Sequence, residues 1–269
     1  MPLFLRHRAN QLSEIMDQSD CDPDKLFRTY GQFKYINQLT SQWRRVYCRI
    51  LRPAMCKEKR HYQLLDIGCG GGDITFALLK WAEEDQLSLK ITGIDTDPRA
   101  LDFLAQIHDH KGIQFLGTSL NDLYEADEQF DFIISNHLVH HLSSTAFNEI
   151  MAKCEKMVRM QVIFNDIERS DIAWLGFRCF APLLFYRSYI VIDGLRSIRR
   201  SYSKAEAEKS VRKNWMIKRY FPYRLLFIYE KAFNFIPIFS NPYPFRRRHC
   251  HVQNSYDPTS FSAVSQNYI

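Results

Sequence analysis

The chain of 269 residues predicts an α/β protein with a doubly wound, mostly parallel sheet, and three observations carry that expectation. An apolar strand containing Leu64, Leu65 and Ile67 runs directly into a glycine-dense turn, Asp66-Ile-Gly68-Cys-Gly70-Gly-Gly72-Asp73. Short apolar segments then alternate with stretches of helical period, the pattern of βα units. A second strand, 89–94, ends on an acid, Asp95, which lies 23 residues beyond Gly72. Nucleotide-binding α/β folds place an acid for ribose hydroxyls at about that distance.

The elements follow in order. Residues 9–17 and 23–51 read as helices, the second because Leu26, Tyr30, Phe33, Ile36, Leu39 and Trp43 recur at three- and four-residue steps. Residues 74–81 read as the helix after the glycine turn. Asp97-Pro98 opens the next helix with an N-cap and a proline at the first turn. Strands are expected at 113–116, 130–135 and 162–165, and the last two at 215–221 and 224–230, split by Pro222-Tyr223. Ser203-Lys-Ala-Glu206 is a capping box for a further helix, and Asp193-Gly194 reads as a turn.

The glycine turn admits two ligand classes. A dinucleotide fingerprint would place its third glycine at position 73, where Asp73 would face a phosphate. The spacing Asp66-x-Gly68-x-Gly70-x-Gly72 instead resembles motif I of class I S-adenosylmethionine-dependent methyltransferases, whose ligand is cationic and carries no phosphate. A tight βα turn without a ligand is the plain structural alternative. The run Phe130-Asp-Phe-Ile-Ile-Ser-Asn136-His137-Leu-Val-His140-His141-Leu142 resembles motif IV of small-molecule methyltransferases of the ubiquinone and menaquinone type. The resemblance covers roughly residues 60–168 and implies a Rossmann-like seven-stranded sheet, closed by an antiparallel strand, with N-terminal helices and a helical lid between strands 5 and 6. It further implies S-adenosyl-L-methionine as cofactor. Asp66, Gly68, Gly70 and Gly72 would face its methionine moiety, Asp95 the ribose, Thr96 the adenine edge, and Ser119 with Leu120 the far side of the base; Asn136 in motif IV joins this set. The acid usual after the third strand is replaced by Ser119, so adenine recognition departs from the pattern.

Composition bounds the rest. At 46% hydrophobic residues the chain can bury a substantial core. Seven cysteines without a Cys-x-x-Cys pair or zinc spacing argue for scattered reduced thiols in a cytoplasmic protein. The longest apolar stretch, 172–186, is interrupted by Arg178 and Pro182 and is too short to span a bilayer. Residues 151–269 hold 20 Lys and Arg against 9 Asp and Glu, whereas residues 1–150 are acidic. Such asymmetry suits solvated helix faces, an acidic substrate, nucleic acid or an anionic membrane touched peripherally.

The division expected is a helical cap at 1–58, the methyltransferase domain at 59–232 with a lid insertion at 170–212, and a tail at 233–269. The aromatic run 172–186, with Trp174, Phe177, Phe180 and Phe185, reads as a roof over an apolar acceptor pocket or, equally, as core. Its setting, Ile163 to Ser170 followed by the aromatic run, is similar to bacterial methyltransferases of polyketide and aromatic-lipid pathways, and implies a phenol, pyrone or quinol acceptor. Transfer to a hydroxyl needs a proton acceptor, for which His140, then His141, then His137 are the candidates, with capping of the next helix as the structural alternative. Asp166 and Arg169 are candidates for the acceptor rim. No metal is expected: His249-Cys250-His251 has no second ligand pair and follows three arginines. The reading is thus a small-molecule O- or C-methyltransferase, the alternatives being an RNA or protein methyltransferase that uses the basic half and a silent cofactor-binding module. No specific nucleic-acid partner is expected, since no RNA-binding motif is appended.

Overall fold

The computed structural model describes residues 2–58, 60–107 and 111–231. Its centre is a seven-stranded sheet in the order β3-β2-β1-β4-β5-β7-β6, from β1 (Tyr62–Ile67), β2 (Leu89–Ile94), β3 (Ile113–Leu116), β4 (Phe130–Asn136), β5 (Val158–Ile167), β6 (Trp215–Tyr220) and β7 (Arg224–Glu230). The first five strands pair in parallel, and β7 runs antiparallel to both β5 and β6. The strand order reverses between β1 and β4, which opens a crevice at their carboxyl ends, where such sheets bind ligands.

Alternation along the strands makes two cores. Leu64, Phe132, Ile134, Ile163, Leu226 and Ile228 face one side, where α4 (Asp73–Glu84) packs with the short helical segments α2 (Trp43–Val46) and α3 (Arg52–Met55). Leu65, Ile133, Val162, Phe164, Leu225 and Phe227 face the other, under α7 (Ser144–Met157) and Ala207 of α10 (Lys204–Ser210). Period-two patterning of both faces is what a sheet covered on both sides requires. Asp97 caps α5 (Pro98–Leu104), and the Ser203 and Glu206 side chains complete the capping box of α10.

Three expectations are corrected. Residues 9–17 form no helix; they run as an irregular strap along α9 (Ile190–Arg200), with Ile15 and Met16 N–H donating to the Asp193 carboxylate at 2.7 and 3.0 Å. Those long-range anchors outweigh the modest helix propensity of a segment containing Asn10, Ser13 and Asp17. Asp193 and Gly194 lie inside α9 and are not a turn; Gly194 is needed because a Cβ there would lie 2.5 Å from the Phe177 ring. The helix expected over 23–51 breaks after α1 (Pro23–Thr40), where Gln42 takes a left-handed φ of 60°. Cys21, Cys48, Cys69, Cys154 and Cys179 are free thiols. The expected tail and the motif at 249–251 lie outside the described residues. Among the described residues no helix is long and apolar enough to cross a membrane.

Candidate active site

One cavity of about 870 Å³ occupies the crevice above the carboxyl ends of β1, β2 and β4. At its base the chain leaves β1 through Gly68, Gly70 and Gly72, all at positive φ (67°, 51° and 72°), which only glycine adopts without strain. Gly68 and Gly70 line the cavity and have no neighbour closer than 3.7 Å to an added Cβ, so backbone is presented bare to the space above. Gly72 does not line it. A Cβ there would lie 2.9 to 3.0 Å from Leu104, Phe115 and Phe76, so this glycine serves helix packing.

Around the loop stand three desolvated carboxylates. Burial raises Asp66 to about 7 although it accepts the Thr75 hydroxyl at 2.6 Å, and raises Asp73 to about 6 although Asn37 Nδ2 donates to it at 3.0 Å. Asp95, also raised by burial, accepts Gly70 N–H at 2.8 Å and Asp97 N–H at 2.9 Å, which ties the glycine loop to the end of β2. Carboxylates whose charge is penalised by burial favour a ligand that brings positive charge, and disfavour a phosphate. Thr96, Ser119 and Leu120 line the same end; Ser119 caps α6 (Leu120–Glu125), with its hydroxyl engaged by Asp122. Asn136 lines the cavity, yet its Oδ1 already accepts Trp43 Nε1–H and an Arg224 N–H, each at 3.0 Å.

The other end of the cavity holds the histidines. His140 is buried, its backbone N–H and Nδ1 both directed to the Asp166 carboxylate at 2.7 Å. Its Nε2 lies 3.2 Å from Oε1 of Glu14, a residue of the strap. Burial alone would lower the imidazolium, but Asp166 and Glu14 outweigh it and raise His140 to about 9. The same pairing, against the upward pull of burial, holds Glu14 at about 2 and Asp166 below the usual carboxylate range. His141 sits half-buried beside it, with Nε2 3.7 Å from Glu14 and Nδ1 3.3 Å from Asp17. His137 is held neutral, lowered by burial and by Arg224, which donates to its Nε2 at 3.2 Å. Arg224 is itself buried, lowered by desolvation to about 10, and also donates to Asn165 Oδ1 at 2.8 Å.

The ring nitrogens and carboxylate oxygens of Glu14, His140 and His141 lie within 4.8 Å of one another, as do those of His137, His140 and Asp166. Such nitrogen and oxygen donors could take a divalent transition ion. Both His140 nitrogens already meet a carboxylate, so the buried charge is balanced by a proton without one.

The cavity roof is α8 (Asp171–Leu184), whose Ile172, Ala173, Gly176 and Phe177 face inward. Phe185 is buried with Ala181 and Ile190 against Phe33 and Ile36 of α1, whereas Phe180, Leu183 and Leu184 are exposed. Arg169 turns away from the cavity: its guanidinium donates to the carbonyls of Leu5, Arg6 and Ser201 and pairs with Glu206 at 2.6 Å, which anchors the segment just before the strap. Sequence reasoning missed Glu14, Asn37 and Arg224. Each reaches the site from outside the motif region, and an arginine at the head of the apolar strand 224–230 was the one signal available.

Residues 64–161 match the family model of a methyltransferase domain. That segment is similar to class I methyltransferases. A ubiquinone biosynthesis O-methyltransferase of Mesorhizobium japonicum is 30% identical over 110 residues, 40% of this chain and 41% of that protein. One from Pseudomonas syringae pv. tomato is 30% identical over 119 residues, 42% of this chain and 47% of its own. The chain therefore matches less than half the length of these relatives. Among solved structures, a plantazolicin methyltransferase in complex with SAH aligns at a TM-score of 0.55 with 16% identity, over 76% of this chain and 77% of that one. Human N-acetylserotonin methyltransferase in complex with SAM aligns at 0.53 with 10% identity, over 78% and 56%. These likenesses concern the methyltransferase fold.

Proposed function

We propose that the protein transfers the methyl group of S-adenosylmethionine to a hydroxyl or carbon of a small apolar aromatic acceptor, a phenol, pyrone or quinol-like compound. The carrying observation is that one cavity joins the carboxylate-ringed glycine loop to the Glu14–His140–Asp166 array beneath an apolar roof. The residues at the loop fit the cofactor, because burial penalises the charge of Asp66, Asp73 and Asp95 beside bare backbone, and a cationic ligand relieves that penalty. Bound there, the cofactor would supply an electrophilic methyl group; the three carboxylates and the Gly68 and Gly70 backbone would hold it. That the curated relatives are O-methyltransferases supports transfer to oxygen.

The protein's own part is orientation and proton removal. Phe177 and Ile172 close the apolar side of the cavity and limit water. Asp166 fixes the His140 ring and keeps a proton on Nδ1, which leaves Nε2 as the atom that gains or loses one. With Nε2 deprotonated, its lone pair faces the Glu14 carboxylate at 3.2 Å, a repulsive contact that an acceptor O–H relieves by donating into it. The hydroxyl proton is then taken at His140 Nε2.

The test is incubation of the purified chain with S-adenosylmethionine and a panel of phenols, pyrones and quinols. A product heavier by one methylene, about 14 Da, is expected, and it should be lost in His140→Ala while S-adenosylhomocysteine binding persists. Methylation of RNA or protein with every small acceptor inert would overturn the reading.

A further inference from the structure

The roof helix carries more apolar surface than the part that lines the cavity. Ile172, Leu175, Phe180, Leu183 and Leu184 are 49 to 78% exposed. The patch continues past the helix N-terminus: the Asp171 carboxylate accepts the backbone N–H groups of Leu3, Phe4 and Leu5, which holds exposed Leu3 and Phe4 beside α8, the Phe4 ring edge-on to Trp174 at 5.9 Å. Contiguous apolar ridges of this kind mark interaction sites.

Charge and size decide the occupant. Between Ile172 and Ile192 the sequence contains no Asp or Glu, while Arg178 and Arg187 are exposed within it. A second copy would set these arginines against their equivalents. Its contact would also be small: a helix of 14 residues offers a strip about 21 Å by 10 Å, roughly 200 Å², against the ~800 Å² per partner of a stable interface. Leucine, isoleucine and phenylalanine flanked by arginine suit the boundary between anionic headgroups and acyl chains.

We propose that the exposed apolar side chains of α8, with Leu3 and Phe4, dock the protein on an anionic bilayer surface. The docking stands on these side chains alone. A consequence rests on the reading of an apolar acceptor: Ile172 is 69% exposed and also lines the cavity, so such an acceptor passes from the bilayer under the roof at that residue.

The experiment is flotation of the full chain with phosphatidylcholine vesicles, with and without phosphatidylglycerol. Binding should need the anionic lipid. Phe180→Ser combined with Leu183→Ser should lower partition at least tenfold, with S-adenosylhomocysteine affinity unchanged as the measure of a folded cofactor site. Arg178→Glu with Arg187→Glu should do the same. No flotation of the wild type overturns the proposal. So does binding that the serine variants keep and salt alone abolishes, which would be diffuse attraction to the basic half. A wild-type dimer that the serine variants render monomeric, at unchanged flotation, would assign the face to self-association and also overturn it. Flotation without any methyl transfer would leave docking standing and remove the proposed function. Methylation of a micellar acceptor without flotation would do the reverse.

Discussion

Glu14 and His140, 126 residues apart in sequence, meet inside the cavity with Oε1 3.2 Å from Nε2. Asp166 holds the opposite ring nitrogen at 2.7 Å, so a buried imidazole stands between two buried carboxylates. The strap thereby becomes part of the site, and the protonation of His140 is set by a residue far outside the methyltransferase motifs.

The first prediction concerns pH. His140 is raised to about 9, so it is imidazolium at neutral pH, and methyl transfer to a hydroxyl should climb as pH rises towards 9. Glu14→Gln removes one of the two charges that raise it and should move that limb down by about 1 unit. Stability carries the matching sign. A raised folded pKa contributes stability that is complete below the unfolded value near 6.5 and lost as pH rises through about 9. Glu14, lowered from 4.5 to about 2, contributes stability present above 4.5 and lost as pH falls. Thermal unfolding across about pH 2 to 10 checks both, and an alkaline limb unmoved in Glu14→Gln would dismiss the coupling.

The second prediction concerns Asp95. Because its carboxylate accepts both Gly70 N–H and Asp97 N–H, it holds the loop as well as any ligand hydroxyl. Asp95→Asn keeps the shape and removes the charge, and should weaken S-adenosylhomocysteine binding at least tenfold, about 1.4 kcal/mol. Calorimetry measures it. The same titration with NADH should be silent, and micromolar NADH binding with no response to S-adenosylhomocysteine would sink the cofactor assignment.

A third prediction separates glycines that look equivalent in sequence. Gly72→Ala brings a Cβ to within 3.0 Å of Leu104, Phe115 and Phe76 and should cost about 1–3 kcal/mol of stability through overpacking, with strain from its φ of 72° added. Gly68→Ala meets nothing closer than 3.7 Å and should cost about 1 kcal/mol from backbone strain, its larger effect falling on cofactor affinity. Thermal shift and calorimetry on the pair read the two losses separately; equal losses in both measurements would refute the division.

These contrasts show what was legible in the sequence. The expected β2, β3 and β7 coincide with the observed ones because each alternates or is wholly apolar and is bounded by turn residues. The glycine turn and Asp95 come together because they belong to neighbouring parallel strands, a relation that βα order dictates. Glu14 was not legible: the strap lacks periodicity and is positioned by Asp193, Arg196 and Arg99, which reach it from distant elements. Gly194 misled for a similar reason, since a glycine after an aspartate reads as a turn until the Phe177 ring fills the space of its missing side chain.

The last prediction divides the aromatic run that the sequence left between roof and core. Phe185 is 5% exposed and packs with Ala181 and Ile190, so Phe185→Ala should cost about 3–5 kcal/mol and be seen as a fall in melting temperature. Phe177 lines the cavity and presses on Gly194, so Phe177→Ala should lose less stability and mainly raise the acceptor's KM. Phe180 is 68% exposed, and Phe180→Ala should leave both the melting transition and micellar kinetics within error. The three sit on one short segment yet answer to different forces: burial, cavity shape and solvent. Unfolding of each variant measured beside acceptor kinetics would show three distinct patterns. A common large loss of stability in all three would return the segment to the core and remove the main support for an apolar acceptor.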